Sequence, residues 1–436
     1  MQKGPSVIVL GGVIVLLFVL VLALRHFGDF DSYSLREQNS RSTPYSASGA
    51  GEEEMKRLEN EGAYLAPVGV EERGEAPNES ESELQAGRVA VGITEESLAS
   101  CMKEQEGRYM YDMMDPDLHR LYAEIFMCLM AHGENILLST TDADDLQTAF
   151  LCVFQDHPEL YWMDGYSYRR FGRGNNLSLT FSGRYTYSAD DCRLKQPLID
   201  GYVSRCLSGI PFNADDYEKV KYIYEYIIRS TDYQIGAADN QNILSVFLNG
   251  QSVCQGYAKA LQYLLYEVDV PCTMVVGMVN GGEGHAWDLV CVEGAYYFVD
   301  PTWGDTGYLA ASGAAVNFHD EVNYNYLNVT TEEISLSHTA DNVIPMPRCV
   351  ATVDNYYVRE DRYFDHYDRL ALKELFDEAA FSGSGQVSFK CSDAACYEHF
   401  TDELLTDKQI FTLLPEGRGA VDYTTDPDLR VLSFWF

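Results

Sequence analysis

The sequence predicts an α+β fold carried behind one membrane-crossing helix. Three observations point there. An uncharged apolar run lies close to the start, helix-period and strand-period segments alternate from about Leu98 onward, and two strand-like runs are joined at a Glu-Gly turn. The 436 residues allow two or three domains of roughly 150 residues each.

Residues 1–26 read as a transmembrane anchor. Gly4 to Leu24 carries no charge and contains VIVLGGVIVLLFVLVLAL, long enough to cross a ~30 Å hydrocarbon core as a helix. Lys3 precedes the run, and Arg25 and His26 follow it. A signal peptide would show a shorter apolar run and a small-residue cleavage site. The best such site, near Ala23, is poor, so the reading is an uncleaved single-pass anchor. Residues 27–97 are rich in Glu, Ser, Gly and Pro, as in GEEEMKRLENEG and APNESESELQ. Such composition buries too little apolar surface to offset its ordering entropy, so it reads as a flexible acidic stalk.

Residues 98–214 read as an N-terminal α+β lobe. The run from Asp115, DPDLHRLYAEIFMCLMAHGE, has helical periodicity with Pro116 near its start, where helices tolerate proline. A second helix is expected from Asp142 to about Asp156, with acidic residues in its first turn complementing the helix dipole. Tyr161–Tyr168 and Leu177–Phe181 read as strands separated by the turn cluster RRFGRGNN.

Residues 215–350 form the expected core. DDYEKVKYIYEYIIRST, from Asp215, is a strongly periodic helix, and strands are expected at Cys272–Val279, Ala286–Val292 and Ala295–Val299. Glu293-Gly294 is a hairpin turn signal between the last two. Thr330-x-x-Glu333 is a capping pattern that opens a short helix. Residues 351–436 read as a small α/β appendage, with helices at Tyr367–Ala380 and Ala394–Leu405 around a strand at Gln386–Lys390.

The formal net charge is -36, with 67 acidic against 31 basic residues. That balance argues against nucleic acid and anionic lipid headgroups as partners, because phosphate rewards clustered Lys and Arg. Eleven cysteines are scattered without a C-x-x-C pair. The closest spacing, Cys391 and Cys396 followed by His399, lacks the two tight ligand pairs of a zinc site, so no metal is expected.

Three segments carry chemistry. In GQSVCQGYAKALQYLLYEV, Cys254 stands at or beside the start of an apolar-periodic helix. Unpaired N–H groups and the helix dipole there stabilise a thiolate, the reactive form of cysteine. The Cys254 N–H is also a candidate oxyanion donor. In GGEGHAWDLVCV, His285 ends a glycine-rich turn and begins a strand, where each ring nitrogen can face a different partner. In AYYFVDPTWGD, Asp300 closes the next strand. A hairpin centred on Glu293-Gly294 brings His285 and Asp300 to the same end, within two residues of direct opposition. An acid there can orient the imidazole.

VCQGYAKALQYLL, GHAWDLV and YYFVDPTWGD together resemble the core of the transglutaminase-like superfamily, in a form similar to its bacterial membrane-anchored members. The resemblance covers roughly Asp215 to Asp305. It implies a papain-like core, in which a helix carrying the cysteine packs on an antiparallel sheet carrying His and Asp. It further implies Cys254 as nucleophile, His285 as general base and Asp300 as orienting acid. DNQNI, from Asp239, resembles the segment that precedes the nucleophile in bacterial members. One of its amides, Gln251 or Gln255 would then serve the oxyanion. Many relatives have Asn where this chain has Asp288. That carboxylate would raise the His285 pKa, bind a substrate cation or face solvent.

The implied reaction is acyl transfer from a protein or peptide amide through a Cys254 thioester, without metal or organic cofactor. Water as acceptor gives a protease or deamidase, and a lysine amine gives a cross-linking enzyme. An anchored enzyme with a short tail is expected at the cell membrane with its bulk extracytoplasmic. The flanking positive charges themselves nearly balance. Two rival readings are a non-catalytic cell-surface binding module on the same fold and a structural ectodomain whose Cys254 is disulfide-bonded.

Overall fold

The computed structural model describes residues 34–37, 67–72, 80–173, 176–305 and 322–436. Gly4–Leu24, read as a membrane-crossing helix, lies outside these residues. Among the described residues no helix is long and apolar enough to cross a membrane. The chain forms two compact units, dividing after Asp361 rather than after Val350 as the sequence suggested. β1 (Ser34–Glu37) belongs to the C-terminal unit, and all elements from β2 to Asp361 belong to the other.

In the larger unit, ordered structure reaches back into the expected stalk. β2 (Val68–Glu71) pairs in parallel with β4 (Met163–Arg173). Helices occupy Glu81–Ala90 and Glu95–Glu104, each opened by a capping box, at Ser80/Glu83 and Thr94/Ser97. Reciprocal capping satisfies their first N–H groups, and Leu84, Ile93, Leu98 and Cys101 are buried. Acid-rich composition thus concealed two short amphipathic helices. Asp115 caps a 3₁₀ turn that leads into the helix His119–Met130, and Asp142 caps the helix Ala143–Asp156. β4 and β5 (Asn176–Tyr185) form a long hairpin that extends through Arg173. Much of the RRFGRGNN segment is therefore strand, not turn. With β3 (Ile136–Leu137) they complete a sheet of order β2-β4-β5-β3.

Asp156, at the end of its helix, ties this lobe to the core. Its carboxylate is fully buried and accepts from Met110 N (3.2 Å), Tyr111 N (3.0 Å), Tyr122 OH (3.0 Å) and Thr273 Oγ1 (3.1 Å). Thr273 lies on β8 (Cys272–Val279). Removing the acceptor leaves four buried donors unsatisfied. Asp156→Ala is therefore expected to lower stability by about 3–5 kcal/mol, measured by urea unfolding. A loss below about 1 kcal/mol would contradict this role.

The core sheet has the order β10-β9-β8-β11, all antiparallel, with β9 at Gly284–Val292, β10 at Ala295–Val299 and β11 at His338–Ala340. The turn between β9 and β10 holds Glu293 and Gly294 at φ 49° and 82°, matching the twist of a two-residue hairpin. The register pairs Ala295 with Val292 and Val299 with Asp288, without a bulge. The helix Cys254–Tyr266 packs on β8 and β9, and the helix Asp216–Ser230 packs on that helix in turn. Asp215 and Glu218 form the capping box that starts the latter.

The helix Ala189–Leu207 was not anticipated. It contains Pro197 and is polar on most of its surface, so it shows neither an uninterrupted pattern nor a wide apolar stripe.

The smaller unit is a five-stranded sheet, β1-β14-β15-β13-β12. Its remaining strands are β12 (Tyr363–Phe364), β13 (Gln386–Cys391), β14 (Ala420–Asp426) and β15 (Val431–Trp435). The helices Arg369–Ser382 and Ala394–Thr401 contribute Leu372, Phe376 and Phe400 to a core with Val387, Phe389, Leu432 and Phe434. Cys391 and Cys396 are buried against each other by a thiol hydrogen bond. His399 is exposed and faces Glu403 instead.

Candidate active site

The segment before Cys254 is shaped for close approach. Gly250 takes a left-handed conformation, β7 (Gln251–Ser252) pairs with β6 (Asp232–Tyr233), and Val253 is extended. Cys254 is then the first helical residue, without any side-chain cap on the helix. Ser252 and Ser245 share a 2.6 Å hydroxyl hydrogen bond beneath Gly256. A Cβ at position 256 would fall 2.0 Å from Ser252 Oγ and 2.9 Å from the Asn240 carbonyl, so glycine is what lets the helix start against this loop.

His285 is the second residue of β9, and Asp300 directly follows β10. Asp300 stops the strand because it caps the short helix Pro301–Gly304, its Oδ1 accepting from Thr302 N (2.9 Å) and Trp303 N (3.1 Å). Its Oδ2 accepts from His285 Nε2 at 2.8 Å. The Cys254 thiol hydrogen-bonds the same imidazole, for which Nδ1 is the remaining ring nitrogen. The structure thus brings together all three residues singled out in the sequence. The site is closely covered, with Cys254 1% and His285 4% exposed.

Burial opposes charge on His285, but Asp300 and Cys254 outweigh it and push the imidazole up to about 10. Burial likewise opposes ionisation of Asp300, yet His285 and then His338 pull the carboxyl well below the usual carboxylate range. The signs follow by linkage. Asp300 ionisation contributes stability that is present above the unfolded carboxylate value of about 4 and is lost as pH falls through the lower folded value. His285 protonation contributes stability fully present below about pH 6.5 and lost as pH rises through about 10. The thermal midpoint is expected to fall between pH 7 and about 10, and less steeply in His285→Gln, by scanning calorimetry. Identical slopes in the two proteins would contradict the ion pair.

His338 was not singled out in the sequence. Its Nε2 donates to the same Asp300 Oδ2 at 3.0 Å, and its Nδ1 lies 2.8 Å from Ser337 Oγ. Trp287, Trp303 and Tyr326 enclose the ring. Burial holds this imidazole below its ordinary pKa despite Asp300. His285, Asp300 and His338 place donor atoms within 4.8 Å of one another, the reach of a metal-ligand set, and two of those contacts are already N–H···O hydrogen bonds.

Asp288 does not face solvent. It is fully buried on β9, Cys272 Sγ donates to its Oδ1 at 3.6 Å, and its Oδ2 lacks a hydrogen-bond partner. Burial, reinforced by Asp300, raises its pKa well above the ordinary value, so the acid form is favoured at a position where an amide would be isosteric. Of the oxyanion candidates, Gln251 is exposed. Gln255 is buried, and its amide donates to the Gln241 carbonyl at 2.8 Å.

Residues 209–301 match the model of the transglutaminase-like superfamily. The kyphoscoliosis peptidase of Homo sapiens is 30% identical over 105 residues, 20% of this chain and 16% of that protein. Its Mus musculus counterpart is 29% identical over the same shares. The chain thus covers 16% of the length of the curated relatives it matches. The crystal structure of a TGase aligns with a TM-score of 0.24 at 14% identity, covering 38% of this chain and 48% of that one. The α+β architecture contains a transglutaminase-like core, and residues 209–301 are where this chain is similar to the transglutaminase-like superfamily.

Proposed function

We propose that this protein is a thiol acyl-transfer enzyme acting on protein or peptide amides, with Cys254 as nucleophile, His285 as acid and base, and Asp300 as the orienting anion. The observation that carries this reading is the continuous set of contacts from the Cys254 thiol through His285 to Asp300, with His285 favoured in its protonated form. The Cys254 thiolate attacks the amide carbon. His285 gives its proton to the departing nitrogen as the C–N bond breaks, leaving a thioester. Water or a primary amine attacks the thioester, His285 takes the acceptor's proton, and the C–S bond breaks to return the thiolate. The backbone N–H of Cys254, the first residue of a helix whose N-cap residue Val253 makes no side-chain capping bond, is the proposed donor to the developing oxyanion.

The curated relatives are named as a peptidase, which favours water as the acceptor. The test uses the full chain with a glutamine-containing peptide and a fluorescent primary amine. Cleavage, ammonia release and amine incorporation are followed in parallel, with Cys254→Ala as control. Absence of all three, and of any acyl-enzyme by mass spectrometry, would overturn the enzymatic reading. The close covering of Cys254 and His285 favours the alternative of a non-catalytic cell-surface binding module, and that outcome would move the assignment there.

Membrane anchoring through Gly4–Leu24, with the bulk of the chain extracytoplasmic, is proposed from the charge-free apolar run. Resistance to carbonate extraction and protease sensitivity on intact cells are the expected results. Protection in intact cells would reverse the orientation.

A further inference from the structure

The reaction above uses three side chains, and a fourth is held against them. His338 begins β11, which pairs with β8 through His338–Val279, Thr339–Met278 and Ala340–Gly277. Gly277 is required for this approach, since a Cβ there would lie 2.0 Å from the Thr339 carbonyl, a backbone atom with little freedom to yield. The strand delivers His338 to the oxygen of Asp300 that His285 also uses, at 3.0 Å and 2.8 Å. The His338 ring lies 4.6 Å from Trp303 and 4.9 Å from Trp287, centroid to centroid, so aromatic packing restricts it.

The protonation pattern follows from the partners. Asp300 is ionised and accepts only, so the His338 nitrogen facing it carries the hydrogen. In a neutral ring the other nitrogen is then an acceptor, and the Ser337 hydroxyl at 2.8 Å donates to it. Two N–H donors on one carboxylate oxygen share its charge, and each weakens the hold of that oxygen on the other's proton.

We propose that His338 is a positioning residue of this site, fixing Asp300 Oδ2 for His285 and tempering the grip of that oxygen on the His285 proton. The inference rests on the reading of Cys254, His285 and Asp300 as the reacting set. The titratable groups facing the set are Cys254 from its helix, Asp288 from β9, Tyr224 from the helix Asp216–Ser230 and Tyr326 from the 3₁₀ turn Tyr324–Tyr326.

The test measures iodoacetamide alkylation of Cys254 in the full chain across the pH range, for wild type, His338→Phe, His338→Gln and Ser337→Ala. Phe keeps a ring and removes the donor, whereas Gln can return an N–H to the same oxygen. The alkaline limb reports loss of the His285 proton. It is expected to move up by about one pH unit in His338→Phe, because Asp300, relieved of a donor, holds that proton more tightly. It is expected to stay within about 0.3 unit of wild type in His338→Gln and to shift upward by a smaller amount in Ser337→Ala. Should His338→Phe fail to fold by circular dichroism, Ser337→Ala carries the test. Wild-type limbs in both Phe and Ala variants, or an equal displacement in Gln and Phe, overturn the proposal while leaving Cys254 reactive. Loss of wild-type reactivity on chelation and its return with zinc would also overturn it, by making these side chains metal ligands. Ordinary thiol behaviour in the wild type itself would instead remove the underlying reading.

Discussion

Replacing Asp300 by Asn is expected to slow acyl transfer about ten-thousandfold and to cost about 3–5 kcal/mol of stability. The asparagine carbonyl can keep the Thr302 and Trp303 N–H groups that Oδ1 holds now. Its amide nitrogen is then turned toward His285 Nε2 and His338 Nε2, which present donors to that position. Both rings must give up those hydrogens. A neutral His285 so rearranged carries its hydrogen on the nitrogen facing Cys254 and can no longer accept the thiol proton. The stability term arises because a buried pair has lost one charge, not because the pair is strong in itself. Turnover and urea unfolding on the same preparation measure both. A variant within about tenfold of wild-type rate would show that Asp300 does not orient the imidazole.

Cys254→Ala is expected to abolish acyl-enzyme formation while changing stability by only about 1 kcal/mol. The thiol is small and buried, and its removal leaves the Asp300–His285 pair in place. Activity should drop to the level of an uncatalysed control, and mass spectrometry should detect no adduct on the chain after incubation with substrate. Activity that survives in Cys254→Ala would place the nucleophile elsewhere. Lost activity accompanied by unfolding would leave Cys254 a structural residue.

Much of the core was legible because local and long-range signals agree there. The Glu293-Gly294 turn fixes the hairpin register, so His285 and Asp300 could be brought to one end from sequence alone. The helix at Cys254 followed from its apolar period after a polar approach. What was missed lacked a pattern of its own. His338 sits on a three-residue strand whose neighbours Thr339 and Ala340 are exposed, so no alternation marks it. Its place depends on an edge pairing some sixty residues distant in sequence. The one available hint was Gly277 inside a largely apolar strand, a sign of close backbone approach. The helices at Glu81–Ala90 and Glu95–Glu104 were hidden because composition averages over a window, while caps and a few buried positions decide the local outcome. Of the three roles the sequence left open for Asp288, the one facing solvent falls away because β9 is buried on nearly its whole length, as a central strand covered on both faces must be.

The measurement that bears most directly on the central claim is the pH dependence of Cys254 alkylation in the full chain, with Cys254→Ala as background for the ten other cysteines. An activated site predicts rapid labelling that persists well below the free-thiol value of about 8.5 and falls when His285 is replaced by Gln. Labelling that rises only as an ordinary thiol ionises, and that ignores His285, would contradict it.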